Sequence, residues 1–169
     1  MDIKRDTPEF VDVVAILREQ LKDTLLLGAY VQNVEGHFHD RNKGVLDLLR
    51  SMSREVWTLS ELIDCRAAAC GSARTHVKNT DPLLNRGEDD SLESLLNRFC
   101  RYVRKTSERL VAVRQGNDRE TIELFDRILS TAKTGIWFLD VYSNAVWLKC
   151  APSHLPKWKS VSALRQIAS

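Results

Sequence analysis

Residues 45–63 read VLDLLRSMSREVWTLSELI. Within them Val45, Leu48, Leu49, Met52, Val56, Leu59 and Ile63 recur at steps of three and four. A strand alternates with a period of two, whereas steps of three and four place apolar side chains along one stripe of an α-helix.

The same period runs outward from this stretch in both directions. Before it come Phe10, Val13, Val14, Leu17, Leu21, Leu25, Gly28 and Val31. After it come Leu92, Leu95, Leu96, Phe99, Val103, Leu110 and Val113, and then Ile122, Phe125, Leu129, Ala132, Ile136 and Leu139. The chain is therefore read as all-α, with helices predicted over 8–35, 41–70, 90–115 and 118–147. Thr7-Pro8 reads as a cap with proline in the first turn. Asp90 with Glu93, and Asn117 with Glu120, are spaced as capping boxes. Gly36, Gly71 and Gly116 stand where a left-handed residue would end a helix.

The links between these stripes set the topology. Helices one and two are joined around Gly36, and three and four around Gly116-Asn117. Links this short make antiparallel neighbours. The stretch from about 71 to 90 is long, holds Pro82 and ends in Glu88-Asp89-Asp90. Two hairpins joined by one long crossover between helices two and three is the ferritin-like form of a four-helix bundle. The bundle is placed at 1–147 and a basic tail at 148–169. From Lys149 onward that tail carries Lys149, Lys157, Lys159 and Arg165 with no acid.

Composition narrows the function classes. With 169 residues, 43% hydrophobic and 28% charged, the chain can bury one substantial core. A formal net charge of +2 argues against a general nucleic-acid surface. No apolar run approaches the roughly 18 residues that span a bilayer, and residues 1–8 hold no apolar secretory core. A cytoplasmic protein without a membrane partner is expected. Cys65, Cys70, Cys100 and Cys150 form no C-x-x-C pair, so they are read as buried, reduced helix residues. No histidine follows a glutamate by three within a helix, so the paired E-x-x-H sites of ferritin proper are absent. No local signature supports Ser-His-Asp or Cys-His catalysis.

At the first link the chain reads Asn33-Val34-Glu35-Gly36-His37-Phe38-His39-Asp40. This resembles the segment H-W-N-V-x-G-P-x-F-x-x-L-H-x-x-F-D of Dps proteins, with the proline missing. Gly135-Ile136-Trp137-Phe138-Leu139 resembles the end of the Dps fourth helix. The resemblance covers about 10–147 and implies a cage-forming subunit, a homo-oligomer of twelve copies with two-fold and three-fold interfaces. It also implies iron storage and detoxification together with DNA protection. In that family iron is oxidised between two subunits, held by two histidines, an acid, and a D-x-x-x-E-R pair; iron suits imidazole and carboxylate ligands with an open position for the oxidant.

The ligand positions depart from this pattern. The first histidine falls on Val31, the second on Asn42, and the acid on Leu46 with Asp47 beside it. For D-x-x-x-E-R two registers stay open: Trp57 with Glu61, or, shifted by one turn, Glu61 with Cys65. The metal candidates are His37, His39, Asp40, Asp47 and Glu61; the competing account places His37 and His39 at a helix corner and Asp40 as a cap. The acidic run Glu88-Asp89-Asp90 is read as capping helix three. Lys157, Lys159 and Arg165 are the candidates for contact with DNA phosphates. Trp57, Trp137 and Trp147 are assigned to packing and interface burial. The first functional reading is thus a Dps-like subunit for iron storage and DNA protection with weakened or altered oxidation chemistry, which the family resemblance favours; the alternative is a non-enzymatic shell or interaction protein, which Val31, Asn42 and Leu46 favour.

Overall fold

The computed structural model describes residues 12–38, 43–74 and 91–150, with side chains through Asn144. Four helices account for nearly all of them: α1 (Val13–Phe38), α2 (Lys43–Ala69), α3 (Leu92–Gln115) and α4 (Arg119–Cys150). No strand occurs among the described residues. The chain is an all-α four-helix bundle, as the periodicity requires.

The apolar stripes meet in one core. Leu17, Val31, Leu49, Ile63, Leu95, Val113, Phe125, Ile128 and Leu139 are fully buried. Each is worth about 1.5–3 kcal/mol of transfer free energy relative to an exposed side chain. α1 packs on α2 and α3, and α4 packs on the same two. Cross-helix contacts fix the directions. Arg50 reaches Glu35 at 3.2 Å and Arg18 reaches Ser72 at 3.0 Å, so α1 and α2 are antiparallel. Gln20 meets Thr106 at 3.0 Å, and the Arg98 guanidinium lies over the Tyr30 ring at 3.2 Å, so α1 and α3 are antiparallel too. α2 and α3 therefore run the same way.

The helix ends differ from the sequence reading by a few residues, for local reasons. α1 is capped by Asp12, whose Oδ1 accepts from the Ala15 amide at 3.0 Å; Thr7-Pro8 lies outside the described residues. α3 is capped by Ser91, which accepts from the Ser94 amide at 3.1 Å, while the acidic run 88–90 lies outside them. α4 is capped by Asp118 rather than Asn117. Neighbouring Asp, Ser and Asn all make good caps, so composition cannot choose between adjacent positions. Asn117 instead takes the left-handed turn at φ 54°, the role expected of Gly116, whose φ is −81°. Gly36 does not end α1, which continues to Phe38. α4 runs on to Cys150, three residues past its expected end.

Gly71 does end its helix as expected. Its φ is +95°, its amide donates to Ala68 O at 3.0 Å, and the Ser72 amide donates to Ala67 O at 2.9 Å. This pair of bonds satisfies the last carbonyls of α2. A Cβ added at Gly71 meets nothing within 4 Å among the described residues. Gly71→Ala therefore carries only the left-handed backbone penalty. It is expected to lower unfolding free energy by about 1–2 kcal/mol in urea titration, with an unchanged slope.

Candidate functional site

Among the described residues, the metal candidates His37, Asp47 and Glu61 do not form one cluster. His37 and Asp47 lie at the same pole of the bundle, on the last turn of α1 and the first turns of α2. His37 is exposed, and its Nδ1 sits 3.0 Å from the carbonyl oxygen of Asn33 one turn back, where the ring N–H donates to the helix end. Asp47 is exposed and borders a shallow depression with Glu35, Arg50, Ser53 and Arg54. Two carboxylates there face two guanidiniums, and Arg50 pairs directly with Glu35. A balanced set of charges gives a divalent cation little attraction. Glu61 is exposed fourteen residues further along α2. At 1.5 Å per residue it lies roughly 21 Å from Asp47, so the two cannot share an ion. His39 and Asp40 fall outside the described residues, as do Lys157, Lys159 and Arg165. Among the described residues no three His, Cys, Asp or Glu side chains come together.

Two of the positions that the Dps pattern assigns to ligands, Val31 and Leu46, face inward. Val31 has no exposed surface and Leu46 only 8%. A ligand shared between two subunits must lie on the surface of each chain. Both residues instead belong to the interior of a single chain. Cys65, the glutamate position in the shifted register, is exposed and accepts from Arg74 Nη2 at 3.0 Å. Cys100 is also exposed and Cys70 half-buried, so the expectation of buried thiols fails for the first two. Trp137, expected in packing or an interface, is 55% exposed and stands edge-on to Phe138, with ring centroids 4.8 Å apart.

Two polar constellations that the sequence reading missed are built with more care. The first ties α1 to α3 in the interior. Gln20 Nε2 donates to Thr106 Oγ1 at 3.0 Å, and its Oε1 accepts from Arg109 at 2.8 Å. The Thr24 hydroxyl lies 2.7 Å from both Gln20 O and the Tyr102 hydroxyl. Arg109 also binds Asp23 at 2.6 Å. Gln20, Thr24 and Thr106 are completely buried. Burial pushes the Tyr102 phenol above its ordinary value, against the pull of its bonds to Thr24 and Gln20, and so keeps it protonated. This network is closed and internally satisfied, which suits fixing the α1–α3 register rather than chemistry. Its signal was readable: Gln20 and Thr24 sit at core spacing beside Leu17 and Leu21.

The second lies at the opposite pole from His37. Arg66, on the last turns of α2, donates to Thr121 Oγ1 at 2.9 Å and Asp118 Oδ1 at 2.6 Å, and pairs with Glu120. The bond to Asp118 raises the guanidinium above its ordinary value, and the bond to Arg66 holds the Asp118 carboxyl below its own. The cluster joins α2 to the start of α4.

No helix among the described residues is long and apolar enough to cross a membrane. No protein-family model matches the chain, and no curated protein is similar to it.

Proposed function

We propose that the chain is a ferritin-like shell subunit of Dps type that assembles with copies of itself and has given up iron oxidation. The burial of Val31 and Leu46 carries this reading, because it removes two of the family's ligand positions from any surface a second subunit could share. The ferritin-like topology draws support from the helix directions. α2 and α3 run the same way, so the ends joined by residues 75–90 lie at opposite poles. Sixteen residues span up to about 53 Å when extended, enough to pass a helix of the length of α3, about 36 Å. The exposed Trp137 offers apolar surface for an interface between copies. The tail cations Lys157, Lys159 and Arg165 supply a phosphate-binding element for DNA protection.

A second reading keeps iron storage, with the site moved to the His37 pole. It draws on the exposure of His37 and Asp47 at one end of the bundle, close in sequence to His39 and Asp40. One pair of measurements separates the two readings. Light scattering is expected to show an assembly of about twelve copies under the closed symmetry such bundles adopt. Ferrous iron with peroxide is expected to oxidise no faster than in buffer. A monomer at micromolar concentration removes the shell. Oxidation above buffer that disappears in His37→Ala establishes the second reading.

A further inference from the structure

The α2–α4 seam is the most sparsely packed in the bundle, and a cleft of 320 Å³ opens there. Met52, Phe99 and Phe138 form its apolar walls. Gly135 forms part of its floor. A Cβ at that position would meet Met52 Cε and Phe99 Cε1, each at 3.1 Å, so glycine keeps α4 close beneath the cleft. The rim is polar. Ser51 and Thr134 present hydroxyls, and Glu55 is the one charged side chain among the described residues that line it. Glu55 is exposed and makes no hydrogen bond or ion pair with any described residue.

Size and chemistry together select a ligand class. Small-molecule sites enclose roughly 300–1,000 Å³, with mostly apolar walls and a few polar groups that fix orientation. This cleft sits at the small end of that range. Its walls combine a thioether with two aromatic rings, which favours an aryl or alkyl body through sulfur–aromatic and edge-to-face contacts. Its charge among the described residues is a single carboxylate that pairs with no described cation, which favours an ammonium group and rejects an anion. We propose that the cleft binds a primary amine carrying one aromatic ring or an alkyl chain of similar bulk. The apolar body lies against Met52, Phe99 and Phe138. The ammonium sits at the rim, donating to Glu55 and the hydroxyls of Ser51 and Thr134. The site uses none of the metal candidates and is independent of the shell reading.

Three probes of one shape test it on the full-length protein by titration calorimetry: phenylbutylammonium, phenylbutanol and phenylbutyrate. The amine is expected to bind about tenfold more tightly than the alcohol, as one charge-assisted hydrogen bond allows, and the carboxylate weakest of the three. Glu55→Gln is expected to erase the amine's advantage and leave the alcohol's affinity unchanged. Thr134→Trp, at an exposed position, places a ring over the mouth and is expected to weaken all three probes. Equal binding of amine and alcohol overturns the proposal, as does an undiminished advantage in Glu55→Gln. Binding unaffected by Thr134→Trp places the probes elsewhere and overturns it as well.

Discussion

Asp118→Ala is expected to lower the unfolding free energy by about 3 kcal/mol at neutral pH, combining a lost helix cap of about 1 kcal/mol with lost charge-assisted bonds of about 2 kcal/mol. The carboxylate does two jobs. Oδ1 accepts from the Thr121 amide at 3.3 Å, which caps α4, and from Arg66 Nη2 at 2.6 Å, which ties α4 to α2. Oδ2 accepts from the Thr121 hydroxyl at 2.5 Å. The side chains of Arg66 and Asp118 are only 19% and 22% exposed, so water screens the pair poorly. The Arg119–Glu123 pair, at 90% and 63%, is worth a few tenths of a kcal/mol by comparison.

The same pair sets an acid limit. Arg66, then the bonds from Thr121, hold the Asp118 carboxyl below its ordinary value in the folded chain, outweighing partial burial, which acts the other way. The unfolded chain then binds more protons than the folded one, so stability falls as pH falls. The contribution is complete above the unfolded value near pH 4 and is lost as pH drops through the lower folded value. Asp118→Asn keeps a capping oxygen and discards the charge. Its deficit against the parent protein is expected to be largest at neutral pH and to shrink below about pH 4 in urea titrations. A deficit that stays constant down to pH 2 would show that the charge contributes nothing.

Much of the bundle was legible because its cause is local. The four stripes reappear as the buried faces: Leu17 and Leu21, Leu49 and Val56, Leu95 and Phe99, Phe125 and Leu129 are all in the core. Helix ends were less legible. Ser91 and Asp118 won their caps against neighbours of the same chemical type, and the winner depends on where the packed helices place the first turn. The Arg66–Asp118 cluster was not legible at all, since it needs residues 52 apart to meet at one pole. The α2–α4 cleft was hidden for the same reason, because it arises from the spacing between two helices and not from either one.

The site was legible in a sense that the motif obscured. Val31 stood in the apolar stripe of α1 on periodicity, yet the resemblance placed a surface ligand there. Both statements cannot hold for one side chain, and the fold decides for periodicity. A short motif such as Asn33-Val34-Glu35-Gly36 fixes alignment along the chain but not which way the flanking helix faces. A helix turned by about 100° per residue moves a ligand position from interface to interior with one step of register.

Val31→His puts that conclusion to its hardest test. The substitution installs the residue that the Dps pattern has at the aligned position. If the position faced a second subunit, the imidazole would sit at an interface and the chain would tolerate it. In the bundle described here Val31 has no exposed surface. The substitution removes a buried valine and places a polar ring where no partner is arranged, for an expected loss of about 3 kcal/mol. Gln32→His is the control. Gln32 is exposed, about 100° round the helix from Val31, so its replacement is expected to change stability by less than about 0.5 kcal/mol. Neither variant is expected to oxidise ferrous iron faster than the parent chain. A Val31→His protein as stable as the parent that gains oxidation would place residue 31 at a subunit boundary and return the chain to iron chemistry. Loss of stability in Val31→His alone instead keeps residue 31 in the interior of a single chain, on the apolar face of α1.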